Sequence, residues 1–436
     1  MQGNLESVGM NSADPTRASH PGNPSDGGRK TTQTSERQPS DPHPPESVRA
    51  AVAHLDAPFA VLDVDAALAN ARDMAARAAG TPIRLASKSI RIPELMRRGL
   101  RQEGFRGILA YSLAEACWLV DTSMSTDVVV AYPTVHAAAL RALVSDPRRA
   151  AAITLMVDSM DHLDAMNAAC PPGGRPDIQV CIDVDASLAV GPARLGGLRS
   201  PLRRPAQVAN LAAEILRRDG LRLRGVMAYE GQIAGTADTG WAVRAMKRVS
   251  AAELRRRRAR VVRAVQQTLA AAGGRDELEF VNGGGTGSIE STHREAVITE
   301  IGAGSGVIGP GLFDHYRSFR PRPALWFVLP VVRRPNPRTV TVAGGGRVAS
   351  GPVGRDRLPT VDFPPGLSYA RLEGPGEVQT PLTGAPAAGL NLGDHVWFRH
   401  AKAGEASEFY NHVVVVSAGR IVDRWATYRG AGYAFS

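Results

Sequence analysis

Thr81-Pro82-Ile83-Arg84-Leu85-Ala86-Ser87-Lys88-Ser89 is the stretch on which the reading of the chain turns. An apolar opening runs into a lysine and a polar turn, and Pro93-Glu94-Leu95-Met96 starts a helix just beyond. The pattern predicts a short buried strand that ends in an amine. A lysine at the C-terminal lip of a strand in a β/α unit lies where barrel enzymes keep their chemistry. It is also the side chain that condenses with aldehydes once it is desolvated. The plainer alternative is a lysine that snorkels into water from a strand end.

Outward from Lys88, strand-like and helix-like segments alternate. Strands are expected at 83–87, 107–111, 127–131, 153–157, 178–184, 223–228, 279–282 and 296–300, with helices between most of them, for example 112–121, 159–169, 205–218 and 241–272. Eight apolar runs separated by helices predict a parallel sheet with crossovers, and the count favours closure into a (β/α)8 barrel, an α/β fold. A doubly wound open sheet is the rival, weakened because no Gly-x-Gly-x-x-Gly follows the first strand. Beyond Phe319 the texture changes to β-branched and aromatic runs split by Gly/Pro turns, such as Thr339-Val340-Thr341-Val342 and Val413-Val414-Val415-Val416. The expected domains are a barrel over 55–320 and a mainly-β domain over 321–436. Residues 1–50, rich in Ser, Pro, Gly, Asp and Arg, are expected to be a disordered tail.

Composition limits the possibilities. At 436 residues and 43% hydrophobic, the chain can build a sizeable core. No apolar run is long enough to span a bilayer, and the N-terminus carries no export signal, so no membrane partner is expected. Cys117, Cys170 and Cys181 show no metal-type spacing and no disulfide framework, which fits a reducing cytoplasm. The net charge of +10 includes the run Glu253-Leu254-Arg255-Arg256-Arg257-Arg258-Ala259-Arg260. Without interleaved aromatics this reads as a solvated helix face, and no nucleic-acid partner is expected.

Two glycine clusters carry a second chemical signal. Asn282-Gly283-Gly284-Gly285-Thr286-Gly287-Ser288 and Gly302-Ala303-Gly304-Ser305-Gly306 each follow a strand and offer unshielded backbone N–H groups, the means of cradling a phosphate. Loops after the last two strands of a barrel are its usual phosphate site. Tyr229-Glu230-Gly231-Gln232 puts an aromatic and a carboxylate at the same mouth, and Arg194 follows the fifth strand as a ligand or a surface ion pair. In the β domain, His400-Ala401-Lys402-Ala403-Gly404-Glu405 reads as a polar active-site or interface loop, since lysine is a poor metal ligand at neutral pH.

The lysine-bearing early strand, the Arg194 segment, Met227-Ala228-Tyr229-Glu230-Gly231-Gln232, Gly283-Gly284-Gly285-Thr286 and Thr299-Glu300-Ile301-Gly302-Ala303-Gly304-Ser305 occur in that order. Together they resemble the fold-type III pyridoxal-phosphate enzymes, in the branch of D-threonine aldolase and D-serine dehydratase, with alanine racemase more distant. The resemblance implies that Lys88 forms the internal aldimine with pyridoxal 5'-phosphate. It also implies that Arg84, Arg194 and Tyr229 lie at the cofactor, and that Gly284, Gly285, Thr286, Gly304 and Ser305 hold its phosphate. A homodimer acting on a small amino acid is implied as well.

Two departures matter. The branch carries histidines two residues either side of the lysine, where this chain has Ala86 and Ile90. Its metal pair in the β domain is a histidine followed two residues on by a cysteine or aspartate; here the pair is His400 and Lys402. Metal dependence therefore does not carry over, and no metal ligand is expected. The reaction implied is that of a lyase on a β-hydroxy amino acid of D configuration, by dehydration and deamination or by retro-aldol cleavage. Lys88 would be one base, with Lys402 or His400 as the second catalytic group. Racemisation and a non-catalytic pyridoxal-phosphate-binding homeostasis protein remain alternatives.

Overall fold

The computed structural model describes residues 43–273, 278–352 and 354–435. Eight parallel strands close into a barrel, in the order Ile83–Ala86, Phe105–Ala110, Val128–Val130, Ile153–Val157, Ile178–Asp183, Leu221–Ala228, Phe280–Gly283 and Glu300–Ala303, the last pairing back to the first. Side chains alternate across each strand. Ile83 and Leu85 therefore join the apolar layer under the surrounding helices, while Arg84 points into the barrel. Val129, Met156, Cys181, Met227 and Phe280 plug the barrel interior. Some of the helices start at polar caps: Asp63, Ser112 and Ser159 accept from the backbone N–H of Ala66, Glu115 and His162.

Seven of the eight expected strands lie within a residue or two of where they were placed. The eighth does not: it runs Glu300–Ala303 instead of 296–300. The run past Glu300, with its glycine at 302, looks like a loop, yet the strand starts at Glu300, which sits inside the barrel because Arg84 and Asn282 both donate to it. Gly302 belongs to the strand through its pairing with Arg84, and a Cβ there would stand 3.0 Å from the Leu109 side chain.

The second layer is a nine-stranded, mainly antiparallel sheet built from Leu325–Asn336 and later strands, with only short 3-10 turns between them. It contains one strand from the far end of the sequence. Phe59–Asp63, assigned to the barrel by its position in the chain, lies between Leu325–Asn336 and His412–Ser417 in this sheet. The domain boundary is thus not a single cut near residue 320. The expected tail also ends earlier. Residues 1–42 lie outside the described residues, but Glu46–Val52 is helical and buries Val48 and Val52 against Trp326, Trp397 and Val414. An i, i+4 valine pair supplies the apolar stripe that the composition of the segment conceals. No helix among the described residues is long and apolar enough to cross a membrane.

Candidate active site

A cavity of about 300 Å³ opens at the C-terminal ends of the barrel strands. Lys88, Tyr229, Gly284, Gly285, Thr286, Gly304 and Ser305 all line it. Lys88 sits two residues past the end of its strand, on a 3-10 turn, Ser87–Ser89, and its Nζ lies 2.9 Å from the hydroxyl of Tyr132. Tyr132 follows the strand Val128–Val130 and went unnoticed in the sequence, although the rule that singled out Lys88 applies to it equally. Burial alone would raise its phenol pKa, but the charge and hydrogen bond of Lys88, with Arg199, bring it below the usual value.

The two glycine loops meet on one wall. Thr286 Oγ1 accepts from the Gly306 backbone N–H at 3.1 Å and lies 3.2 Å from Ser305 Oγ, so one hydroxyl ties the loops together. A Cβ on Gly304 would stand 2.6 Å from the carbonyl oxygen of Ala86, which leaves no room for a side chain. The loops are braced from behind. Glu230 turns away from the cavity and accepts from the Gly284 N–H (3.0 Å), Ser288 and Thr292. Arg258, almost wholly buried, pairs with Glu230 and Glu295. The arginine run read as a solvated face is therefore divided: Arg255, Arg256 and Arg260 are exposed, while Arg257 and Arg258 are buried.

Two arginines lie away from the expected place. Arg84 does not line the cavity. It is buried in the barrel interior, bidentate to Glu300 at 2.8 Å with a further contact to Asp127 at 3.0 Å, and a buried charge requires such partners. Arg194 is exposed on the hairpin Leu188–Val190/Ala193–Leu195. The arginine in the cavity wall is Arg199, whose guanidinium lies 5.4 Å from the ring centre of Tyr229 and 5.7 Å from that of Tyr132. Val190-Gly191-Pro192-Ala193, with Gly191 at φ +57°, was the signal for a turn that carries Arg194 away. Burial pushes the Tyr229 phenol up to about 12, so it stays neutral.

The opposite wall comes from the β domain: Ser350, Arg357, Lys402, Ala403 and Glu405. Burial, then Arg357, lowers the pKa of Lys402. Burial works to raise that of Glu405, but its hydrogen bonds from Ser350 and the charges of His400 and Lys402 leave it lowered. His400 does not reach the cavity. It is buried behind it, with Nδ1 2.5 Å from the Lys402 carbonyl oxygen and 3.1 Å from the Lys402 backbone nitrogen, and burial lowers its pKa. Beside the cavity Asp183 ends its strand, and burial, then Asp158, raises its carboxyl to about 7.

The family model of the alanine racemase N-terminal domain matches residues 62–309, more than half of the chain. The chain belongs to that family. Within it, the branch anticipated from the order of motifs is the one found. D-threonine aldolase from Arthrobacter sp is 28% identical over 395 residues, covering 89% of this chain and 94% of that protein. The crystal structure of D-threonine aldolase from Filomicrobium marinum is similar with a TM-score of 0.67 at 23% identity, covering 87% of this chain and 96% of that one. D-threo-3-hydroxyaspartate dehydratase from Delftia sp. HT23 follows at 0.65 and 22%, covering 86% and 98%. A variant of the dehydratase has been solved in a metal-free form.

Proposed function

We propose that this protein is a pyridoxal-phosphate-dependent lyase acting on a β-hydroxy amino acid of D configuration, by dehydration and deamination or by retro-aldol cleavage. The observation that carries the reading is Lys88 at the mouth of the barrel, facing a wall of two tied glycine loops, where an aldehyde and a phosphate on one small molecule would meet their partners. The cradle fits such a group, because Gly304 leaves backbone where any side chain would clash. Lys88 would hold the aldehyde carbon, Gly284, Gly285, Thr286, Gly304 and Ser305 the phosphate, and Tyr229 with Arg199 would flank the ring. When bound, this cofactor draws off the electrons released at the substrate's Cα.

The chain's own groups do the rest. The Lys88 amine, once displaced by substrate, is a base within reach of Cα on one side. Tyr132, 2.9 Å from it, can accept or return the proton that Lys88 carries. Lys402, Arg357 and Ser350 close the mouth and bring positive charge to the substrate's polar end. Three buried, unpaired cysteines agree with a reducing cytoplasm, and the reading includes a homodimer, which sedimentation would check. For the activity, the protein is loaded with pyridoxal phosphate and offered D- and L-β-hydroxy amino acids, with aldehyde, keto acid and enantiomer assayed. Aldehyde or keto acid from D substrates is expected. Interconversion of enantiomers alone would replace the reading with racemisation. In Lys88→Ala the visible band and borohydride trapping should vanish while the fold persists, and a band that survives would remove Lys88 from its role.

A further inference from the structure

The β domain reaches the barrel mouth through residues 400–405, and that loop is seated on the backbone of Lys88 itself. Gly404 has φ +78°, and a Cβ there would stand 2.0 Å from the Lys88 carbonyl oxygen. No side chain fits, so the contact fixes Lys402, two residues earlier, over the cavity that Lys88 lines. The hydrogen bond described for the Lys402 ammonium is a long one, 3.5 Å to Ser350 Oγ. An ammonium has three donors, and this contact leaves the others to face the cavity.

Related enzymes imply a divalent cation at this place, and the donors here do not suit one. His400 is buried behind the cavity wall, where the backbone of Lys402 and Arg347 lies against its ring, so it offers no nitrogen to the cavity. The position two residues on is a cation. Both carboxylate oxygens of Glu405 are taken by Ser350, from its backbone N–H at 2.9 Å and its hydroxyl at 2.7 Å. His412 is exposed at the start of the sheet strand His412–Ser417 and does not line the cavity. Among the described residues no group of three or more His, Cys, Asp or Glu is placed to hold a metal ion.

We propose that the Lys402 ammonium, with Arg357 beside it, takes the place of the metal and receives the oxygen on the substrate's β-carbon, so that turnover needs no metal ion. The proposal rests on the lyase reading above. A fixed positive charge aimed at an oxygen that gains negative charge lowers the barrel enzyme's barrier as a metal would, without a ligand set to assemble. His400 is the positioning residue, since its Nδ1 lies against the backbone of Lys402, 2.5 Å from the carbonyl oxygen and 3.1 Å from the nitrogen.

The test uses the full chain loaded with pyridoxal phosphate. Metal content is measured first, then turnover after exhaustive chelation, then turnover and the cofactor band of Lys402→Met and Lys402→Arg. The expected result is no stoichiometric metal, turnover unchanged by chelation, and a fall in kcat of about 100-fold in Lys402→Met with KM and the cofactor band little changed, the size seen when one charge-stabilising donor is removed. Lys402→Arg should recover part of that loss. Stoichiometric zinc or manganese whose removal stops turnover overturns the proposal, as does a Lys402→Met variant as active as the parent. A chain that shows no cofactor band fails earlier, at the lyase reading, and the proposal falls with it.

Discussion

The two walls of the cavity are built on opposite principles. The barrel side presents backbone through its glycine loops, tied by Thr286 and braced by Glu230, and adds charge at Lys88 and Arg199. The β-domain wall presents side chains, with Arg357 on one loop and Lys402 and Glu405 on another carrying charge. A backbone cradle suits a group that never changes between turnovers, because its geometry is set by the fold. Charged side chains suit the part of the substrate that distinguishes one reaction from another. Within one family the first wall should be kept and the second rebuilt.

The sharpest way to break this division is from behind the barrel wall. Arg258→Ala leaves Glu230 and Glu295 buried without their cation, a loss of about 3–5 kcal/mol in stability. Chemical denaturation should show that loss, together with weaker cofactor retention, because Glu230 holds the Gly284 N–H. A variant as stable as the parent would show that the brace is idle.

Asp183 offers a pH test at the edge of the cavity. Its carboxyl titrates near 7 in the folded chain, against about 3.9 for an unfolded aspartate, so the folded state holds a proton that the unfolded state has lost between those values. Stability from this group therefore falls as pH rises from about 4 to 7. Asp183→Asn should remove the penalty, gaining roughly 1–3 kcal/mol on the parent between pH 5 and pH 8, as a thermal unfolding series would read. A constant difference across that range would show that Asp183 does not hold the proton.

A pair of glycine substitutions separates the walls directly. Gly304→Ala pushes on Ala86 and should weaken cofactor binding about tenfold, roughly 1.4 kcal/mol, in a titration of the visible band. Gly404→Ala pushes on the Lys88 carbonyl from the other side and should lower turnover more than cofactor affinity. If both variants lose the cofactor equally, the two walls are one unit. The smallest effect is expected of Arg194→Ala, within about 0.5 kcal/mol of the parent in stability and with the cofactor held as before, because the residue is exposed on its hairpin. Arg199→Ala, by contrast, should loosen the cofactor.

The barrel wall was legible in the sequence because each of its parts is a short continuous run. Lys88 ends an apolar strand, and both glycine clusters follow one. The same logic would have found Tyr132 and Asp183, which end strands in the same way. Arg194 was placed at the cofactor by resemblance alone, and the Gly191-Pro192 turn carries it out on an exposed hairpin. Glu230, expected as a carboxylate at the mouth, instead braces the loop from behind, because its role and that of Arg258 depend on pairing between a helix and a strand end. On the β-domain side only residues 400–405 announced themselves. Ser350 and Arg357 reach the cavity by long-range folding that no local pattern records.

The strand Phe59–Asp63 has a consequence for how the molecule is made. As the chain is synthesised, this segment emerges before any part of the barrel, yet both of its sheet neighbours lie in the last third of the sequence. Its partner around Val413–Val416 is roughly 350 residues away, a contact of very high sequence separation and slow to form. Until then its edges offer unpaired backbone groups, ready for pairing with another chain. The newborn barrel must therefore carry an open strand through most of its synthesis, a reason for the cell to chaperone this protein until its last residues are released.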